Sequence, residues 1–412
     1  MLLVMGCLAA FCVTGRVRAE GSTALASTPP PPGPGELRLS AAEALRRVHA
    51  GAPELRVARD RVGIARADVD VAGVLPNPVV SAGTSTQAAR LSIGAALPLP
   101  FLGQRGASLT ASRADLETVR VESEITWNDV RAAASRAYVQ LWLAQERSVA
   151  RKEGAAIAAR IGDAVASRVE LGASPEVDAL RTRAERLRAE ADSLEAEQLV
   201  DAAASQLSFY LGADDRVRAD GEYPVPTDAP PIASLTSRVD GNPLVRREAS
   251  DARAAEARVD REKALARPTP ILEVGADIGD PTQPKTNYRA GLALDIPILS
   301  LRGAQIGRER ASAAAARSRA SVELARGRSG IAFAYHTFVA ADARAKTLRS
   351  GVLVAAEAAA RATEESYALG RAQLVAVLDA LRTRLDTRIT LADAIATRAQ
   401  AWIEIEHLLG AP

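Results

Sequence analysis

The sequence predicts a mainly α-helical chain with a small β part suited to crossing a membrane, in which one structural plan is written twice. Three observations carry this. Leu97-Pro98-Leu99-Pro100-Phe101-Leu102-Gly103-Gln104-Arg105-Gly106 returns as Leu294-Asp295-Ile296-Pro297-Ile298-Leu299-Ser300-Leu301-Arg302-Gly303. In each copy a period-2 apolar run ends at a proline and an Arg-Gly pair opens a long Ala/Arg/Glu segment. Proline cannot continue a sheet ladder, so each copy reads as a strand handed to a helix. The junction residues are Pro98, Pro100, Arg105 and Gly106 in the first copy, and Pro297, Arg302 and Gly303 in the second. Finally, only 3% of the 412 residues are aromatic, and the dominance of alanine with charged residues is the composition of long packed helices.

Residues 1–19 read as a signal peptide: an apolar run from Leu2 to Val13, then Val17-Arg18-Ala19 as a small-residue cleavage pattern, although its start carries no Lys or Arg. Residues 20–36 are a Pro-rich linker. Cys7 and Cys12 both precede that cleavage point, so a mature chain would have no disulfide framework.

The first repeat spans 37–212. Leu39 to about Val71 has helical periodicity, with Ser40 and Glu43 spaced as a capping box, and Pro76-Asn77-Pro78 stops it. Strands occupy about 79–99, where Leu91, Ile93, Ala95, Leu97 and Leu99 share a face. A hairpin fills about 104–212. Its first helix runs unbroken to about Glu170, roughly 100 Å at about 1.5 Å per residue. Val130, Ala134, Ala137, Leu141 and Ala144 form its seam, and Leu171-Gly172-Ala173-Ser174-Pro175 its turn, with Gly as C-cap, Ser as N-cap and Pro at N1. The return helix has Leu180, Ala184, Leu187, Ala191 and Leu194 at heptad spacing, which predicts close coiled-coil packing within the hairpin.

Residues 213–238 are a connector rich in Pro, Asp and Gly. The second repeat, 239–410, opens at Asn242-Pro243 and is stopped by Pro268-Thr269-Pro270. It has strands in about 271–297 and a long hairpin in about 302–410. That hairpin turns at Leu369-Gly370-Arg371-Ala372 and returns along Leu378, Leu381, Leu385, Ile389, Ala392, Ala396, Ala399 and Ile403. Asp-Ala-Leu-Arg-Thr-Arg occurs at Asp178–Arg183 and again at Asp379–Arg384.

The strands alternate apolar with small or polar residues over lengths close to the ~9–11 residues of a tilted membrane strand. In hydrocarbon an open sheet edge leaves backbone groups unpaired, and four strands are too few for an open-pored barrel. Several protomers must therefore pool their strands. An ordinary half-buried sheet in a soluble α+β protein fits the alternation equally well, but leaves the long hairpins with nothing to pack on.

The repeated helix, Pro-x-Pro, strand hairpin, proline and giant helical hairpin, from about Leu37 to Gly410, resembles the TolC-type outer-membrane efflux proteins. Pro-Leu-Pro-Phe-Leu-Gly-Gln-Arg-Gly at the first junction looks most like their heavy-metal branch. The resemblance implies a homotrimer whose twelve strands form one β-barrel in the outer membrane of a Gram-negative bacterium, embedded in lipid. Twelve helices would form an α-barrel tunnel in the periplasm. It implies a passive exit duct for a tripartite efflux system, exporting heavy-metal cations in that branch, with a periplasmic adaptor (membrane fusion) protein and a proton-driven inner-membrane pump as partners. Docking falls on the tips, Leu171, Gly172, Ala173 and Ser174 with Leu369, Gly370, Arg371 and Ala372. In the family, aspartates beyond the tip glycines ring the periplasmic entrance and a tyrosine helps lock it, which maps a gate onto Asp178, Tyr367 and Asp379. Ala376 stands where the family has a further aspartate, and Arg371 lies one residue early. As a purely structural feature, Asp178 is a first-turn carboxylate favoured by the helix dipole. A type I secretion channel and a soluble periplasmic coiled-coil scaffold are the competing readings.

Other chemistry is absent from the pattern. A net charge of +2 leaves no nucleic-acid footprint. His49, His336 and His407 are scattered, with no metal-ligand spacing. No nucleophile triad, phosphate loop or dinucleotide fingerprint stands out, so neither an enzyme nor a cofactor is expected. Trp127, Trp142 and Trp402 are expected to pack on helices.

Overall fold

Ser40 begins the first helix as its pattern predicts: its Oγ accepts the Glu43 N–H at 3.3 Å. In the computed structural model, which describes residues 37–84, 90–212, 216–279, 286–296 and 302–410, strand β1 (Leu37–Leu39) precedes α1 (Ala41–Gly51) and α2 (Pro53–Gly73). The single helix expected from Leu39 to Val71 is thus a strand residue and two helices. Pro53 makes the break, because its ring fixes φ and it brings no N–H, which suits a first helical position and not an interior one. The Glu43 carboxylate pairs with Arg46 and Arg47, so only the serine half of the capping box forms.

Strands β2 (Val79–Gly83) and β3 (Leu91–Pro98) lead into α3 (Gln104–Glu170), a single helix of 67 residues. Its seam is as expected: Val130, Ala134, Ala137 and Leu141 are buried. The return helix is α4 (Glu176–Leu211), where Pro175, not Ser174, takes the N-cap position and no side chain caps the helix. The connector holds more than turns, namely β4 (Val217–Ala219) and α5 (Ile232–Thr236), and a 3-10 turn at Val239–Gly241 opens the second repeat. β4 pairs in parallel with β1, a two-stranded sheet that three-residue strands are too short to announce in a sequence.

In the second repeat, Asn242 caps α6 (Pro243–Leu265), accepting the Leu244 N–H at 2.7 Å. Strands β5 (Thr269–Ile278) and β6 (Thr286–Asp295) precede α7 (Gly303–Thr347). The expected unbroken helix is interrupted by a π-turn at Leu348–Val352 before α8 (Leu353–Ala368), and α9 (Leu374–Leu409) returns. The signal-peptide segment, the Pro-rich linker, Pro281, Pro284 and Pro297 lie outside the described residues.

The main sheet has the order β2-β3-β5-β6, antiparallel throughout, so the two repeats meet where β3 pairs with β5. α2, α3, α6 and α7 run below it, α6 packed between α3 and α7. In the other direction α4 lies on α3, while α9 packs on α3, α7 and α8. The largest core gathers at the connector, where Leu39, Val48, Tyr138, Leu141, Leu207, Val217 and Ile403 are buried together. Tyr138 donates to the Asp220 and Gly221 carbonyls, and Gln145 both donates to and accepts from the Ala219 backbone. Tyr223 donates to Glu406 at 3.0 Å. Burial, reinforced by Asp220 and Glu406 respectively, pushes both tyrosines up to about 12. No helix among the described residues is long and apolar enough to cross a membrane.

Candidate channel wall, junctions and hairpin tips

Register sorts the sheet into two faces. Val80, Ile93, Ala95, Leu97, Leu272, Val274, Ile278, Tyr288 and Leu292 fall on one, an apolar band continuous across all four strands. Ser81, Ser92, Gly94, Glu273, Gly275, Asp277, Arg289 and Gly291 fall on the other. The large residues of the apolar side are exposed, Tyr288 at 80% and Leu292 at 72%. On the polar side Arg289 meets Asp277 at 3.0 Å and Ser92 donates to Asp277 at 2.7 Å. β2 and β6 end the sheet, and their outer edges pair with no strand among the described residues. A sheet with its apolar side outward and two open edges is built to close with copies of itself.

At the first junction Pro98 ends β3, the Leu99 N–H reaches the Pro270 carbonyl at 2.7 Å, and Pro100 lies in the bend before Gly103. Gly103, at φ 100°, starts α3. Buried Gln104 donates to the Pro268 carbonyl, and Arg105 donates to the Gly73 carbonyl at 2.7 Å, capping α2. At the second junction Arg302 itself takes the left-handed conformation, at φ 52°, just before Gly303, and pairs with Glu262 on α6 at 2.8 Å. The two Arg-Gly pairs are therefore not equivalent: Arg105 and Gly106 lie inside a helix, whereas Arg302 precedes one. Each arginine nevertheless ties the new helix to the preceding helix of its own repeat.

The tips are the same motif twice. The Gly172 and Ala173 N–H groups bond to the Val169 and Arg168 carbonyls, and Gly370 and Arg371 bond in the same way to Tyr367 and Ser366. These are Schellman caps, which need a residue at positive φ; Gly172 and Gly370 sit at 68° and 72°. Leu171 and Leu369 are exposed beside them, as are Ala173 and Arg371, with Ser174 and Ala372 half-buried. Asp178 is half-buried in the first turn of α4, and Asp379 is exposed on α9. Tyr367 packs beside Ile157, Ala360, Val377 and Leu381, with the Arg168 guanidinium 5.1 Å from its ring centre. Its hydroxyl makes no hydrogen bond to Asp178 within the protomer. Arg168 was not singled out by sequence reasoning, since a lone arginine on an arginine-rich helix carries no signal.

Between α3, α4 and α9 lies a groove of about 340 Å³, lined by Gly154, Ile157, Ala189 and Leu385 and spanned by an Arg382–Glu185 ion pair. A Cβ at Gly154 would sit 2.8 Å from a terminal methyl of Leu385, so a larger residue there would make that leucine shift.

One expectation is overturned on α4. Its heptad seam does not pack within the hairpin: Leu180, Leu187 and Leu194 are 61%, 57% and 65% exposed, and Ala184 and Ala191 are exposed as well. Thr182, Ala196, Leu207 and Leu211 face inward instead. Two further edges carry unpartnered heptad stripes, Val57, Ile64 and Val71 on α2, and the small residues Ala304, Gly307, Ala311, Ala314 and Ser318 on α7. The α2 stripe was legible in the Val-Ile-Val spacing of seven.

The helices below the sheet are cross-linked by charge. Arg258 of α6 pairs with Asp115 of α3 and, at 3.0 Å, with Glu309 of α7. Arg319 reaches Glu248 at 2.7 Å, and Arg247 meets Glu248 and Glu122. Burial raises Glu248, Glu262 and Glu309, but guanidinium hydrogen bonds outweigh it. Those come from Arg319 and Arg247, from Arg302 and Arg261, and from Arg258 and Arg308 respectively, and hold all three below the ordinary carboxylate value. His49 stacks edge-on against Trp127, and His407 bonds to Asp129 at 2.8 Å. Trp142 is buried, and Trp127 and Trp402 lie partly buried against the cores. Among the described residues no group of three His, Cys, Asp or Glu side chains could hold a metal.

Residues 44–213 match the family model for outer membrane efflux proteins. The cobalt-zinc-cadmium resistance protein CzcC of Cupriavidus metallidurans is 26% identical, over 100% of this chain and 99% of the relative. The fold is that of the Campylobacter jejuni CmeC outer membrane channel, with a TM-score of 0.75 at 12% identity over 90% of this chain and 85% of that one. The outer-membrane channel OprN gives 0.73 at 21% identity, over 90% of each chain.

Proposed function

We propose that this chain, which belongs to the outer membrane efflux protein family of TolC-type channels, is the trimeric exit duct of a divalent-metal exporter. Its site is the outer membrane, with a large helical part in the periplasm. The family is one of ducts and not of enzymes, and we assign this chain no catalytic step. The observation that carries the trimer is the four-stranded sheet with an outward apolar band and two unpaired edges. Three copies bring twelve strands and close the ring, β6 of each pairing with β2 of the next. The exposed stripes on α2, α4 and α7 are the helical seams of the same assembly, large residues on α2 meeting small ones on α7.

The metal cargo rests on the full-length likeness to a cobalt-zinc-cadmium resistance protein. In the assembly we propose, a proton-driven inner-membrane pump delivers cations and a periplasmic adaptor seals onto the tips, where exposed Leu171 and Leu369 flank rigid glycine caps. Asp178, Tyr367 and Asp379 stand just inside the tips and are assigned to the gate. Purified from membranes in mild detergent, the protein should run as a heat-dissociable trimer of the 43.2 kDa chain, in outer-membrane fractions. A monomer stable without detergent would overturn the duct. Deleting it should sensitise cells to cobalt, zinc or cadmium; unchanged metal resistance would overturn the cargo.

A further inference from the structure

We infer that Glu273 makes the membrane end of the duct selective for cations. The inference rests on the duct reading, in which the polar face of the sheet is the wall of the lumen. That wall is stripped of side chains around Glu273. Its cross-strand neighbours are Ala96 and Gly291, with Val79 beyond Ala96. The next rung is Ser81, Gly94, Gly275 and Arg289. A Cβ at Gly275 would lie 2.9 Å from the Ile93 carbonyl, so this rung stays bare beside Arg289, whose guanidinium meets Asp277 at 3.0 Å. The one Lys or Arg in the described strands of this sheet is thus spent on its own neighbour.

Glu273 is different. It is exposed, and no cation pairs with it among the described residues. In a closed trimer it becomes three free carboxylates projecting from a ring of otherwise small residues. Asp295, on the same face at the end of β6, adds a second exposed acid. Three carboxylates against one guanidinium leave two negative charges per protomer on the strand wall, six per trimer. A charge-lined passage with low-dielectric walls concentrates counter-ions, so the wall suits cationic cargo and repels anionic cargo.

The test is the reversal potential of the reconstituted trimer across a potassium chloride gradient, with about 10 mM salt on the extracellular side, where the screening length of about 30 Å spans a barrel lumen. Potassium should be favoured over chloride by on the order of tenfold, and the preference should fall as salt rises. Glu273→Gln halves the net wall charge and should lower the ratio, Glu273→Lys cancels that charge and should bring the ratio towards one, and Glu273→Asp should restore it. Variants are compared after native gels show intact trimers. Conducting trimers whose ratio is the same in wild type, Glu273→Gln and Glu273→Lys would overturn this assignment and leave the duct standing. Wild-type protein that neither trimerises nor conducts would overturn the duct reading, and this one with it.

Discussion

The hexapeptide Asp-Ala-Leu-Arg-Thr-Arg lies just beyond both tips, and its two copies are buried oppositely. On α4, Thr182 is buried and Leu180 is exposed; on α9, Leu381 is buried and Thr383 is exposed. The reason is position. The motif starts six residues after Gly172 but nine after Gly370, and three residues turn a helix by about 300°. Thr182 tolerates burial because its hydroxyl bonds to the Asp178 carbonyl of its own helix, at 3.0 Å. α9 is hemmed in by three helices of its own chain, whereas α4 packs mainly on α3, with only slight contact to α1, β4 and α9. Identical residues are thus core in one repeat and, in the trimer we propose, interface in the other.

The sharpest way to break this contrast is truncation at the two leucines. Leu381→Ala should cost about 2–5 kcal/mol of protomer stability, read as a lower unfolding midpoint in detergent. Leu180→Ala with Leu187→Ala should leave that midpoint alone and lower only the temperature at which trimers dissociate on gels. If both pairs of sites behaved alike, α4 would be no interface.

The tips come next. Gly172→Val or Gly370→Val places a branched side chain at positive φ, a strain of about 1 kcal/mol or more, too little to undo a trimer. Trimers should persist while metal resistance is lost; full resistance in both would remove docking from the tips.

Acid should act on the first half of the second repeat, where α6 and α7 pack together. Glu248, Glu262 and Glu309 have lowered values in the folded chain, so their contribution is complete above the ordinary 4.5 and is lost as pH falls through the folded values. The trimer's dissociation temperature should therefore drop below pH 4.5, and Arg258→Gln should reproduce part of that drop at pH 7. A flat profile would mean the charge ladder between α3, α6 and α7 is dispensable.

The gate is expected to show in conductance alone, leaving trimer stability unchanged. A hydrogen bond from Tyr367 to an aspartate in the assembled ring is worth about 1.5–3 kcal/mol. Tyr367→Phe with Asp178→Ala should raise single-channel conductance, and Asp379→Ala should remove block by periplasmic divalent cations. With Ala376 in place of a second aspartate, that block should be modest even in wild type. Unchanged conductance in the double variant would leave Tyr367 as only the packed ring under Arg168.

Elements with strong local signals were legible in the sequence. The duplication, the strand pairs and both tip glycines follow from proline, glycine and period. So does α3, because nothing in 67 residues interrupts it. What failed needed knowledge of neighbours. The seam Leu180-Leu187-Leu194 is a genuine heptad, but periodicity states only that a partner exists, not whether it belongs to the same chain. The β1–β4 pairing and the π-turn go with contacts to α3, α4 and α9 that lie far away in sequence, whereas the Pro53 break is a local signal inside an otherwise continuous helical pattern. At the candidate gate, Asp178, Tyr367 and Asp379 were found by family spacing, whereas Arg168 reaches Tyr367 only through the fold.

The edge strands are unequal: β2 has five residues and β6 has ten, while β3 and β5 share eight rungs. In the trimer we propose, β2 holds the seam between protomers to five rungs, no longer than the β2–β3 ladder inside a protomer, and that seam alone joins separate chains. A free protomer shows its neighbours one blunted edge, a poor template for runaway strand addition. Joining β6 to β2 is head-to-tail, so a correct contact always leaves the next one open until the third copy closes the ring. Heat should accordingly split the barrel at three identical seams, each chain leaving with its own four strands still paired.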